Sequence, residues 1–255
     1  MSFSQFFNMV YLIGAGPGDP DLITVAGAKA LHDSTAVVYD ALVNEAMLDL
    51  APASALRICM GKRGGAPSAS QEDINRMLID LVQAGHTVAR LKGGDPLVYA
   101  RAGEEMQALA QAGIPFKVIP GVSSALAAPA AACIPLTHRN VAATFAVITA
   151  HRVDGADAPD WAALARIDTL VILMGAARAA QIADALMANG RSAGTPAAAI
   201  QSATLPEERI LYSCLQDLSS DIQRHGLTSP MVIVVGDVAQ IGQVLTAPLL
   251  GALHG

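Results

Sequence analysis

Four short stretches gather residue types that could do chemistry: GAGPGD at Gly14–Asp19, the aspartate of VVYD at Asp40, GKRGG from Gly61, and RLKGGDP from Arg90. Each closes an apolar run, so its polar groups stand at the end of a buried segment. The first resembles a nucleotide loop, in which glycines let the backbone approach a phosphate and a helix N-terminus offers free N–H groups. The match is incomplete. A G-x-G-x-x-G fingerprint counted from Gly14 needs a glycine where Asp19 stands, and Pro17 removes one N–H from the turn. No Gly-Lys-Ser or Gly-Lys-Thr follows, which excludes a Walker loop. Serving only as a tight turn is an equal reading of GAGPGD.

Asp40 also has two readings: it holds a ligand hydroxyl, or it caps the next helix. Lys62 and Arg63 lie among glycines, where solvated cations are ordinary, but Lys62 and Asp40 end neighbouring strand–helix units and could face one cleft. Gly93 and Gly94 let a ligand reach main-chain groups, while Asp95 and Pro96 suit the cap and first turn of a helix. Gly121, Ser123 and Ser124 in PGVSS leave similar room, and the alanines beyond them suit close helix packing.

The elements that must position these residues follow from hydrophobic periodicity. Strands are predicted at Val10–Gly14, Ala36–Tyr39, Leu56–Met60, Val88–Leu91 and Lys117–Ile119, with helices over Ser70–Ala84 and Val98–Ala112. Ser70 with Glu72 and Asp73 forms an N-terminal cap signature, and Gly85 and Gly113 stand at helix stops. The second half repeats the rhythm at Thr144–Thr149, Leu170–Met174, Ala197–Gln201, Ile210–Tyr212 and Val232–Val235, with less regular connections. The expected fold is therefore two α/β domains, the first on a mostly parallel sheet and the second on a mixed one. The boundary is placed in the proline-led polar segment Ile134–Asn140, giving domains 1–136 and 137–255. In the parallel sheet, ligands bind beyond the carboxyl ends of the strands, where the motifs fall.

Composition narrows the function classes. Although 53% of the residues are hydrophobic, no apolar stretch of about 18 residues occurs, so a membrane span is not expected. The N-terminus lacks a basic, then apolar, leader pattern, and a cytoplasmic location follows. Cys59, Cys133 and Cys214 are isolated, which speaks against a disulfide framework, and the six histidines show no metal-ligand spacing. A net charge of −6 argues against nucleic acid as partner, though clustered cations could still receive a small anion.

Taken in order, VYLIGAGPGDPDLIT, VVYDALV, GKRGG, RLKGGDPLVYARAGEE and PGVSSALAAPAAACIPLTHR resemble the tetrapyrrole methylases, over roughly Val10–Asp237. Within that family they look most like the branch acting on uroporphyrinogen III. The resemblance implies two α/β domains with S-adenosyl-L-methionine in the cleft between them, a homodimer, no metal, and S-adenosyl-L-homocysteine as product. It implies methylation of uroporphyrinogen III at C-2 and C-7 to give precorrin-2, for sirohaem, cobalamin or modified-haem synthesis. Carried over by position, Pro17, Gly93, Gly94, Asp95, Val98, Ser123, Ser124, Met174 and Ala203 match cofactor contacts. Asp40 matches a general base and Lys62 a proton donor, and Arg63, Arg139 and Arg152 are candidates for the substrate's carboxylates. The family often has aromatic and glycine residues where Tyr99, Ala100 and Ala102 stand, and IQSAT leaves Ala203 only its backbone for a contact.

Three other readings compete: a methylase of later corrin intermediates or of RNA, a nicotinamide-dependent oxidoreductase using GAGPG and Asp40, and a non-catalytic binding module. The acidic charge disfavours RNA, the missing third glycine disfavours nicotinamide, and a binding module leaves Asp40 and Lys62 idle. Because the methylase pattern begins at Val10, without the N-terminal dehydrogenase–chelatase module of bifunctional relatives, a monofunctional enzyme is expected. Replacing Lys62 with alanine is expected to remove most turnover while S-adenosylmethionine still binds. Full activity of Lys62→Ala would take Lys62 out of the mechanism.

Overall fold

The computed structural model describes residues 8–61, 69–150 and 158–252; Lys62, Arg63 and Arg152 lie outside them. The apolar runs of the first half form β1 (Val10–Gly14), β2 (Ala36–Tyr39), β3 (Leu56–Cys59), β4 (Val88–Lys92) and β5 (Phe116–Ile119). They build one five-stranded sheet, ordered β3-β2-β4-β1-β5, in which every pairing is parallel. Helices α1 (Val25–His32), α2 (Gln71–Gln83) and α3 (Ala102–Gln111) make the crossovers. Alternate strand residues feed two cores. Ile13, Val37, Ala89 and Leu91 join Leu31 of α1, whereas Leu12, Val38 and Val88 join Leu78 of α2 and Leu109 of α3. The sheet is thus buried on both faces, as a parallel sheet requires.

The signals at α2 are realised. Ser70 accepts from the Asp73 backbone, the Asp73 carboxylate accepts from the Ser70 backbone, and this capping box holds the Asp73 carboxyl below its usual range. Gly85 and Gly113, at φ 94° and 68°, take the left-handed turns that end α2 and α3. The start of α3 differs from the expected Val98: the helix begins at Ala102. Asp95 does not cap it. One Asp95 oxygen accepts from Leu97 N at 2.8 Å and the other from Gly121 N at 3.1 Å, so the aspartate closes its own turn and ties it to the loop after β5.

The second half contains β6 (Phe145–Thr149), β7 (Thr169–Leu173), β8 (Pro196–Gln201), β9 (Arg209–Cys214) and β10 (Met231–Val235). Their order is β6-β7-β10-β8-β9, parallel only between β6 and β7, which is the expected mixed sheet. Helices α4 (Ser124–Ala131), α5 (Trp161–Leu164), α6 (Ala179–Ala188), α7 (Leu218–Arg224) and α8 (Val238–Ala252) accompany it. Compact units span Met1–Ser123 and Ser124–Gly255. The second begins earlier than residue 137 because α4, with Ala125, Ala127, Ala128 and Pro129 buried, packs on β7 and β10. Among the described residues, no helix is long and apolar enough to cross a membrane.

Three loops of the first unit meet backbone to backbone. Gly16 and Gly94 exchange two hydrogen bonds, of 3.1 and 2.7 Å, and Ala15 N donates to Lys92 O at 2.7 Å. A Cβ on Gly14 would stand 2.5 Å from Gly121 Cα and 2.7 Å from Gly94 O, and a Cβ on Gly121 would stand 2.7 Å from Gly14 Cα. No side chain fits there, so GAGPG, GGDP and PG are locked at the carboxyl ends of β1, β4 and β5. Gly121→Ala is expected to destabilise the protein by about 3 kcal/mol. Gly103→Ala, in α3 with nothing within 4 Å of the new carbon, is expected to be neutral or to stabilise by up to about 1 kcal/mol. Urea denaturation of both variants checks the contrast.

Candidate functional site

In β4, Val88, Arg90 and Lys92 point to one face and Ala89 and Leu91 to the other, and all five are buried. Parallel pairing sets Arg90 beside Leu12 and Val38, and Lys92 beside Gly14. Two cations therefore enter the apolar layer beneath α2 and α3. Their counter-charge comes from α3, where Ala102, Glu105 and Leu109 form the inward stripe and Glu105 takes a core position.

Glu105 is fully buried, and Arg90 and Lys92 are 1% and 2% exposed. A single carboxylate oxygen, Glu105 Oε1, accepts from Lys92 Nζ at 2.7 Å and from Arg90 Nε at 3.0 Å. Arg90 then reaches outward: its Nη2 donates to Asp40 Oδ1 at 2.6 Å. Asp40, one residue beyond β2, has a side chain 33% exposed, so it is the member of the four that meets solvent. Burial, and next the adjacent Arg90 charge, push the Lys92 ammonium below its usual value, against the pull of Glu105. Arg90 Nη1 and Glu105 Oε2 are buried with no hydrogen-bond partner among the described residues.

The described site residues predicted for the first unit follow the carboxyl ends of its parallel strands. Asp40 caps no helix: the 3₁₀ turn Glu45–Leu50 is capped by Asn44, which also donates to Gly18 O at 2.9 Å. Gly61 packs against Ala41, and Met60 N donates to Tyr39 O, so the GKRGG stretch starts beside Asp40. Gly94 is buried in the glycine contact, whereas among the described residues a Cβ on Gly93 would meet only Leu42 Cβ, at 3.8 Å. Pro17 and Val98 are half-buried. Asp19 and Thr24 cap the short 3₁₀ turn Pro20–Leu22 and α1, so α1 does not begin at the glycines and its N-terminus is closed by Thr24.

Ser123 is buried at the end of the first unit and Ser124 opens α4 in the second. Within the second unit, β7 and β8 both run antiparallel to β10, so Met174 and Ala203 follow strand ends on one sheet edge. Met174 is 44% exposed and Ala203 is buried. Arg139 is exposed in the turn closed by the His138–Ala142 bridge. Positive φ at Tyr99 and Arg101, and at Met174, Ser202 and Thr204, marks the same segments, because non-glycine residues adopt it only where surroundings enforce it. Arg101 forms a two-pronged pair with Glu104, each bond 2.8 Å.

Arg90, Lys92 and Glu105, which form the buried charged group behind Asp40, are the residues that motif reading passed over. Their signal was present: two cations at alternate positions of a strand, and an acid at an inward position of the next helix.

The family model for tetrapyrrole (corrin/porphyrin) methylases matches residues 9–219. A siroheme synthase of Yersinia enterocolitica is 46% identical over 234 residues, which make up 91% of this chain and 49% of that protein. The chain thus spans about half the length of the curated relatives it matches. Uroporphyrin-III C-methyl transferase from Thermus thermophilus, solved in complex with S-adenyl homocysteine, superposes with a TM-score of 0.78 at 36% identity, covering 91% of this chain and 94% of that one. A cobalt precorrin-4 methyltransferase of cobalamin biosynthesis superposes with a TM-score of 0.81 at 28% identity, covering 91% and 96%.

Glu105→Ala would leave the buried Lys92 without a counter-ion and Arg90 with Asp40 alone, and is expected to destabilise the protein by about 3–5 kcal/mol. Glu104→Ala removes an exposed pair and is expected to cost less than about 1 kcal/mol. Chemical denaturation followed by circular dichroism separates the two.

Proposed function

Because the chain belongs to the tetrapyrrole (corrin/porphyrin) methylase family, we propose that it methylates uroporphyrinogen III at C-2 and C-7, with S-adenosyl-L-methionine as donor, to give precorrin-2. The observation that carries this reading is one sheet edge that joins a loop poor in N–H donors to an anchored, partly exposed carboxylate. The donor-poor loop fits a ligand without phosphate: Pro17 supplies no N–H, and the N-terminus of α1 is already capped by Thr24. The open backbone at Gly93 admits a flat group at close range.

S-adenosylmethionine supplies a methyl group on a positively charged sulfur. The family resemblance assigns its contacts to Pro17, Gly93, Gly94, Asp95, Val98, Ser123, Ser124, Met174 and Ala203. A ring carbon of the tetrapyrrole would gain the methyl as its bond to sulfur breaks and S-adenosylhomocysteine departs; the ring becomes cationic, and a proton then leaves. Asp40 stabilises that positive charge and takes the proton, while Lys62 returns one where the ring requires it. Arg63, Arg139 and Arg152 receive acetate and propionate groups, which reconciles an acidic protein with a polyanionic substrate. The protein acts as a cytoplasmic homodimer in this reading, and its product enters sirohaem, cobalamin or modified-haem synthesis.

A second reading, methylation of a later corrin intermediate, is favoured by the TM-score of 0.81 to the precorrin-4 enzyme. One assay separates them. Incubation with uroporphyrinogen III and methyl-labelled S-adenosylmethionine is expected to yield a tetrapyrrole carrying two labelled methyls. An unlabelled uroporphyrinogen alongside a labelled later corrin would transfer the assignment to the second reading.

A further inference from the structure

The geometry points to Arg90 as a positioning residue: held by Glu105, whose same oxygen also receives Lys92, it fixes one oxygen of Asp40 and so sets where the Asp40 carboxylate stands at the sheet edge. This rests on the reading of Asp40 as the carboxylate that serves the reacting ring.

Arginine is the side chain that can do this. Its planar fork sends Nε to Glu105 Oε1 at 3.0 Å and Nη2 to Asp40 Oδ1 at 2.6 Å, so one rigid group spans both carboxylates. A lysine ammonium, a point donor, could hold Glu105 but could not span the pair. Lys92 supplies the second charge: donating to the same Glu105 oxygen, it brings the four groups to two positive and two negative charges. Gln71 of α2 faces Glu105 as well, with Nε2 at 3.5 Å.

Exposure runs in one direction along the chain of contacts. Glu105 is fully buried, the Arg90 side chain is 2% exposed, and the Asp40 side chain is 33% exposed. The anchor is thus rigid where water is excluded and ends at the group that a ligand could meet. Asp40 follows a short strand, and its backbone carbonyl is engaged by Val43 N. Arg90 adds a fixed point for the side chain, in a protein interior where a buried charge is held by its partners.

A double-mutant cycle tests the assignment. Arg90→Lys is expected to lower kcat for tetrapyrrole methylation by about 100-fold, the scale of a carboxylate displaced by about 1 Å. The Kd for S-adenosylhomocysteine should stay within about twofold, since the hydrogen bonds of the Arg90 side chain go to Glu105 and Asp40 and not to the glycine loops. In an Asp40→Asn background, Arg90→Lys should then cause no further loss. Additive losses in the double variant, or an unchanged kcat in folded Arg90→Lys, overturn the positioning role. If Arg90→Lys does not fold, Arg90→Gln replaces it in the cycle, because it leaves Lys92 and Glu105 as a one-to-one pair while removing the bond to Asp40. Wild-type activity of Asp40→Asn would instead overturn the reading of Asp40. A crystal structure in which Asp40 does not touch Arg90 overturns the inference whatever the activity.

Discussion

One oxygen atom of Glu105 receives both the Lys92 ammonium and the Arg90 guanidinium inside an apolar layer. Taking such charges out of water carries a penalty of several kcal/mol per ion, so the pairing is not a source of net stability. It is instead a constraint on everything around it. The strand β4 must stay central, because β1 and β2 flank it and shield both cations. Helix α3 must enter in a fixed rotation, because Glu105 and not a neighbour has to face the strand. The exposed end of the chain of contacts is Asp40, so the geometry of the sheet edge follows from an interaction in the interior.

The glycine contact of β1, β4 and β5 complements this from the other side. Hydrogen bonds between Gly16 and Gly94, together with the Asp95 bond to Gly121, fix three loops relative to one another. A rigid backbone platform and a rigid carboxylate therefore share one edge of one sheet. Both arise from β4: its last residue, Lys92, belongs to the charged group, and the very next residues, Gly93 and Gly94, belong to the platform. That economy explains why RLKGGDP is dense in special residues, each with a distinct physical task.

Much of this fold was legible in the sequence, since its strands are apolar runs bounded by breakers and its α2 cap is a local signal between Ser70 and Asp73. What escaped depends on partners far along the chain. The start of α3 was misplaced because Asp95, locally an ideal cap, engages Gly121 twenty-six positions away. Asp40 caps no helix because Asn44 takes that place, and its carboxylate instead engages Arg90, fifty positions on. Arg90 and Lys92 resembled ordinary cations at the end of a strand, and only the burial of both faces of β4 turned them into interior charges. The domain expectation leaned on Pro135 and the polar segment after it, whereas the alanines of α4 find their packing on β7 and β10.

Gly93 stands apart from its neighbour in this platform. Gly14 and Gly121 have no room for a Cβ and Gly94 takes a φ of 68°, but among the described residues a Cβ on Gly93 would meet only Leu42 Cβ, at 3.8 Å. Steric selection at that point acts on whatever lies against the loop and not on folding. If Gly93 is a donor contact, as proposed, the position is a handle for reshaping ligand preference: side chains of graded size there would tune which donor analogues are admitted, on a scaffold whose stability is set elsewhere.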